Sequence, residues 1–297
     1  MPHVPNDDPI TVKSRVLFAL RDTLRAAGFV ELTTPVARRA DLGPGRRAPI
    51  QLDGGRYLRA MIGPALRVNL ADHPRIFEIG PCFRPEKPDA EHGSEFSMLD
   101  LYAAGESYEW LFKLAERLVA EHLPYPPTRL SITDHVREAF GIDLRTQQIG
   151  DLPARMAERV DLDPATEFKT VLGRYIEHEL EPRSAGTALF LTDFPLGGDE
   201  PCARRTPGTI GQLNRFELIV DGLEVVHGYE DETDEAEFIA RAQAVGLYDD
   251  EQREAWEEIN QGRVPGASVG LGIGIERLCM AATGTTDIGA FQQSPQF

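Results

Sequence analysis

The chain has 297 residues, 41% of them hydrophobic and 27% charged, with a formal net charge of −17 at pH 7. That length and apolar content allow a large buried core, and no stretch approaches the ~18 consecutive apolar residues of a membrane-spanning helix. The acidic balance opposes a nucleic-acid backbone at long range, and no Lys/Arg cluster reverses it.

In chain order, the N-terminal MPHVPNDDPI has no basic segment ahead of an apolar run, so no secretory signal is read and a cytoplasmic location is expected. From Thr11 to Gly28 the apolar positions Val12, Val16, Leu20 and Leu24 recur every four residues and predict an amphipathic helix. A strand is expected over Phe29 to Leu32, then a Gly/Arg/Pro-rich loop from Gly43 to Gly55. Short apolar runs at Arg75 to Ile79, Phe96 to Ala103, Ala188 to Phe194 and Phe216 to Val226 read as strands. Helices are expected at Tyr108 to His122, Ile149 to Val160, Glu167 to Leu180, Glu235 to Ala244 and Asp249 to Gln261. This order points to an α+β fold with an antiparallel sheet rather than a repeating βαβ unit. Three widely spaced cysteines, Cys82, Cys202 and Cys279, form no CxxC pair and read as structural thiols, not as a disulfide framework or zinc site.

Three segments carry candidate chemistry. Ile76 to Tyr102, IFEIGPCFRPEKPDAEHGSEFSMLDLY, flanks a polar loop with strand-like runs and gathers Arg84, Glu86, His92 and Phe96. These are cations for phosphate, an acceptor for an amine and a ring for stacking, although a charged hairpin with no ligand has the same pattern. In FELIVDGLEVVHGYEDETD, Phe216 to Asp234, Glu217 and Glu224 are hard carboxylates suited to Mg²⁺ beside phosphates, or else a solvated acidic edge. In VGLGIGIERL, Val269 to Leu278, three glycines permit close backbone approach ahead of Arg277 at a helix start.

Together with GFVELTTPV after the first helix (Gly28 to Val36), FRPE, the paired glutamates and GLGIGIERL resemble motifs 1, 2 and 3 of class II aminoacyl-tRNA synthetases. The resemblance is to the lysyl, aspartyl and asparaginyl subgroup and runs from about Val12 to Gly284. Lysyl-tRNA synthetases place an anticodon-binding barrel ahead of motif 1, for which there is no room here. The motif spacing is similar to that of the elongation factor P lysine ligase, a lysyl-tRNA synthetase paralogue that attaches β-lysine to a protein lysine. ALFLTDFPLGGDEPCARR also resembles a segment of those enzymes.

The resemblance implies one catalytic domain over 1–297 without an anticodon-binding domain, a six- or seven-stranded antiparallel sheet flanked by helices, and a homodimer through motif 1. It implies ATP and Mg²⁺ as cofactors. Arg84 would contact the α-phosphate and the substrate carboxylate, and Arg277 would lie near adenine and the γ-phosphate, as the catalytic pair. Glu86 would accept from the adenine amine, His92 would approach the outer phosphates and Phe96 would stack on the base. Glu217 and Glu224 would hold Mg²⁺.

The amino-acid half departs from the lysine pattern. Ala65 of MIGPA (Met61 to Ala65) stands where lysine enzymes have the glutamate that contacts the α-amino group. The two glutamates that grip the ε-ammonium are replaced by Asp100 and Asp231, and a neighbouring asparagine by His227. Gly63, Tyr102, Gly228 and Gly272 are expected in the same pocket; His227 alone also fits a satisfied core histidine. A cation trap shortened by one methylene at each end points to a basic amino acid other than α-lysine. The acceptor is expected to be a protein lysine, a carrier protein or a small amine, not tRNA, with no membrane partner. An asparagine-synthetase-like amidoligase calls for cations facing the substrate. A silent amino-acid or nucleotide sensor calls for loss of Arg84 or Arg277, and both are present.

Overall fold

The computed structural model describes residues 8–38, 50–85, 87–198, 201–246, 248 and 250–292. Helix α1 (Pro9–Ala26) starts where Asp8 accepts from the Thr11 amide at 3.1 Å, and it buries Val16, Leu20 and Leu24 at the expected spacing. Strand β1 (Val30–Glu31) follows, then β2 (Ala37–Arg38), β3 (Gln51–Leu52) and β4 (Arg56–Leu58), which form a small sheet in the order β2-β4-β3. The loop expected over Gly43 to Gly55 therefore contains β3, while its residues 43–49 lie outside the described residues.

Helix α2 (Gly63–Arg67) leads to the long hairpin of β5 (Arg75–Phe83) and β6 (Glu95–Ala104). Next come α3 (Tyr108–Val119), β7 (Pro127–Ser131), α4 (Ile132–Phe140), α5 (Leu152–Arg159), α6 (Phe168–Tyr175) and β8 (Ala188–Pro195). The chain then forms β9 (Gln212–Val220), β10 (Leu223–Glu230), α7 (Glu235–Ala244), α8 (Asp250–Asn260), β11 (Ser268–Gly274) and α9 (Ile275–Thr283).

The main sheet has the order β1-β5-β6-β11-β10-β9-β8-β7. Its six central strands are antiparallel, as expected for an α+β fold, and parallel strands β1 and β7 close the two edges. The apolar run from Phe216 to Val226 is two strands, not one. Asp221 and Gly222 both have positive φ, 49° and 84°, and link Val220 to Leu223 as a two-residue hairpin turn, the geometry that Asp-Gly favours.

One face of the sheet is sealed. Phe77, Leu99, Leu101, Phe216, Leu218, Val269, Leu271 and Ile273 alternate along their strands to pack against α1, α3 and α9. The opposite face carries two separate apolar clusters, one beneath α4, α5 and α6 and the other around α2, with Ile62, Leu66, Ile76 and Tyr102. The cavity opens on the same face as these two clusters. Cys82 and Cys279 are buried free thiols, pushed up to about 12 by burial, which suits structural roles. No helix among the described residues is long and apolar enough to cross a membrane.

Candidate active site

A cavity of about 620 Å³ opens on the uncovered face of the sheet. The period-2 alternation of strands decides which side chains reach it. On β11 the apolar residues Val269, Leu271 and Ile273 point into the sealed core, so Gly270, Gly272 and Gly274 face the cavity with no side chain. The register then aligns two rows across the floor. Asp100, Gly272, His227 and Glu217 are successive partners on β6, β11, β10 and β9, and Tyr102, Gly270, Tyr229 and Arg215 form the next row. The rows lie two residues, about 7 Å, apart.

Each glycine sits between side chains that meet over it. A Cβ on Gly272 would come within 2.7 Å of His227 Cε1 and 2.8 Å of Asp100 Oδ1, and one on Gly270 within 3.0 Å of the Tyr102 ring. The Tyr102 and Tyr229 hydroxyls are 2.8 Å apart above Gly270. On β10 a register shift between Glu224 and Val226 brings Glu224 onto the face of His227, and His227 Nδ1 lies 3.7 Å from Glu224 Oε1. His227 is therefore a cavity residue, not a core histidine.

One end of the cavity holds the residues that the motifs assign to nucleotide. Arg84, at the tip of the β5–β6 hairpin, lies over the Phe96 ring at 5.0 Å. Arg277, in the first turn of α9, donates to the Glu224 carbonyl at 3.1 Å and is 3.1 Å from His92 Nε2. His92 Nδ1 is 2.9 Å from Asp89 Oδ1, and Asp89 is held below the usual carboxylate range by the Glu91 amide and then by His92. This arrangement suits a neutral imidazole that donates to Asp89 and accepts from Arg277. α9 is fixed by Glu276, whose carboxylate accepts from the Ser97 amide at 2.9 Å and from Lys13 of α1 at 2.7 Å. Glu86 lies outside the described residues.

Glu217 and Glu224 both line the cavity. Glu217 is paired with Arg215 at 2.5 Å. Glu181, near Glu224, is pushed up to about 7, first by burial and then by the charges of Glu224 and Glu177. Among the described residues no group of three or more His, Cys, Asp or Glu side chains is placed to hold a metal by itself.

The other end differs from the open cation trap expected from the sequence. Asp100 Oδ2 accepts from the Ile62 and Gly63 amides at 3.0 and 3.1 Å, and burial raises its carboxyl above the usual range despite His227 beside it. Asp231 is almost completely buried; it accepts from Ser268 Oγ and faces the buried guanidinium of Arg67 at 3.7 Å. Arg67 lies 5.4 Å over the Trp256 ring of α8. Sequence reading missed Arg67 because it lies on a helix of five residues, too short for periodicity to show which side faces a cavity.

Two expected pocket residues are placed elsewhere. Ala65 does not line the cavity, whereas Gly63 and Arg67 of the same helix do. Gly228 points to the sealed side, where a Cβ would lie 2.4 Å from the Phe216 ring, because strand alternation turns it away from His227 and Tyr229. Gly228→Ala is accordingly expected to destabilise the fold by about 1–3 kcal/mol through overpacking, read as a lower midpoint in urea denaturation. An unchanged midpoint would mean that the sheet relaxes around the methyl group.

The chain matches the model of the class II (D, K and N) tRNA synthetases over residues 6–296. It is 29% identical to the lysine–tRNA ligase of Methanospirillum hungatei, covering 93% of this chain and 60% of that protein. It is 26% identical to the lysine–tRNA ligases of Staphylococcus epidermidis and Streptococcus thermophilus, covering 93% and 95% of this chain and 62% and 63% of theirs. The chain thus spans about three fifths of the length of these relatives. A glycine-floored cavity with Arg84 and Arg277 at one end, and a family match over nearly the whole sequence, agree: the chain belongs to the class II tRNA synthetases of the D, K and N group.

Proposed function

We propose that this chain is an AMP-forming ligase that activates an amino acid with ATP. The observation that carries the reading is the single cavity that joins Arg84, His92, Phe96 and Arg277 to the Asp100–His227 row. In the reaction a carboxylate oxygen of the amino acid attacks the α-phosphorus, the bond to the β-phosphate bridge breaks, and pyrophosphate leaves. Arg84 neutralises charge that builds on the α-phosphoryl oxygens, and Arg277, oriented by the Glu224 carbonyl and His92, neutralises the departing pyrophosphate. No covalent bond to the protein is needed; positioning and electrostatics carry the step.

Glu217 and Glu224 are the residues that would hold Mg²⁺, together with phosphate oxygens, and the metal would neutralise the pyrophosphate as it forms. The donor set fits: both are hard oxygen ligands on one sheet face. The raised Glu181 carboxyl marks an excess of negative charge that a divalent cation relieves.

For the second half-reaction we favour an acceptor amine or thiol on a protein, carrier or small molecule over tRNA, because the net charge of −17 opposes a polyanion. The same reading includes a homodimer through α1 and β1, where Ile10, Phe18 and Val30 are exposed large hydrophobics. The test is ATP–pyrophosphate exchange over a panel of amino acids. Exchange that depends on one amino acid supports the reading. ATP binding without exchange for any amino acid removes it in favour of a nucleotide sensor.

A further inference from the structure

The deep end of the cavity contains a buried charge pair that the nucleotide chemistry does not use. Arg67 is 6% exposed, lines the cavity, and is surrounded by Asp231, Tyr102, Tyr229 and Cys202. Burial pulls the guanidinium down, and Asp231 first among these neighbours holds it up, so it stays charged. Its Nε and Nη2 have no hydrogen-bond partner, and its nearest contact with Asp231 is 3.7 Å, beyond hydrogen-bond length. Buried guanidinium donors left unsatisfied cost free energy that a bound acceptor recovers.

The charges facing this point select the class of acceptor. An ammonium would add a second cation next to Arg67, whose charge Asp231 already balances. A carboxylate would add a third anion to Asp231 and to Asp100, which burial already disfavours in its charged form. Neither ion gains net attraction from a pair that is neutral overall. A neutral group with an acceptor and a donor side by side satisfies both partners: its oxygen accepts from Arg67 and its N–H donates to Asp231.

We propose that the deep pocket selects an amino acid with a long side chain ending in a neutral carboxamide or ureido group, held between Arg67 and Asp231. The Tyr102–Tyr229 pair sets the length, because it occupies the row about 7 Å beyond Asp100. The proposal rests on the adenylation reading and replaces the basic side chain expected from sequence.

The experiment compares citrulline and glutamine with lysine, arginine and glutamate in two assays. One is ATP–pyrophosphate exchange; the other is ligand-induced thermal stabilisation without ATP. The expected result is a kcat/KM at least tenfold higher for citrulline or glutamine than for the charged amino acids. In Arg67→Met that preference collapses, mainly through KM, while the amino-acid-independent Kd for ATP stays within about twofold, showing that the fold persists. Should Arg67→Met not fold, Arg67→Lys is expected to fold and to lose at least tenfold in KM, since an ammonium cannot reproduce the planar fork. Exchange led by lysine, arginine or glutamate overturns the pocket proposal and leaves adenylation standing. Arg67-dependent stabilisation by citrulline or glutamine without any exchange supports the pocket and removes adenylation. Neither exchange nor stabilisation by those two removes both.

Discussion

Arg84→Ala is expected to lower ATP–pyrophosphate exchange by about 10²–10³-fold while leaving the far-UV circular dichroism and the melting temperature unchanged. The magnitude is that of removing one preorganised donor from a developing oxyanion. The fold should persist because the Arg84 backbone amide closes the β5–β6 hairpin on the Ser94 carbonyl at 2.9 Å, whatever the side chain. The guanidinium itself makes a contact of modest worth with the Phe96 ring. Arg84→Lys should recover little, because a point charge does not replace a bidentate fork. A loss smaller than tenfold in the alanine variant would take Arg84 out of the transition state.

The second large effect concerns stability. Glu78, on β5, is 2% exposed; its Oε1 accepts from Arg59 Nη1 at 2.7 Å, and its Oε2 accepts from the Thr34 amide and hydroxyl at 2.9 and 2.7 Å. Arg59 also donates to the Pro81 carbonyl at 2.8 Å and to Thr34 Oγ1 at 3.0 Å. Glu78→Ala leaves a guanidinium buried without its counter-ion, a change that costs about 3–5 kcal/mol when a buried pair is broken from one side. Urea unfolding should show the lower midpoint, and the double variant Glu78→Ala, Arg59→Met should recover part of it. A double variant as unstable as the single would mean that Glu78 acts through Thr34 alone. Gly80 belongs to the same network, because a Cβ there would lie 2.4 Å from Arg59 Nη2.

How far the sequence reveals this molecule depends on where the information lies. GLGIG is legible because a strand's period of two converts it directly into a floor bare on one side and apolar on the other. The buried stripe of α1 and the cations of the hairpin and of α9 are legible for the same reason: neighbours along the chain define them. The β9–β10 turn was also written locally, in Asp221-Gly222, but the continuous apolar run around it concealed the break. Arg67, by contrast, acquires meaning only where α2, α8 and the strand after β10 converge, and no local pattern marks that meeting. The Thr34–Arg59–Glu78 network is equally invisible, since its members lie 25, 19 and 44 positions apart. Gly228 was misplaced because the bulge near Val226 shifts the parity of β10, which spacing counted from Glu224 does not include.

The bare strand at the centre of the site also constrains how such a pocket changes over time. With no cavity-facing side chain on β11, substitutions along that strand have almost no means to tune what binds; they only obstruct it. Variation in substrate choice is confined to the flanks, on β6 and α2 to one side and on β10 and its following segment to the other. Because flanking side chains meet over each glycine, a change on one side alters the space available to its counterpart. Diversification of this pocket should therefore proceed in facing pairs, and an engineer who wishes to redirect it should randomise Asp100 with His227, and Arg67 with Asp231, rather than single positions.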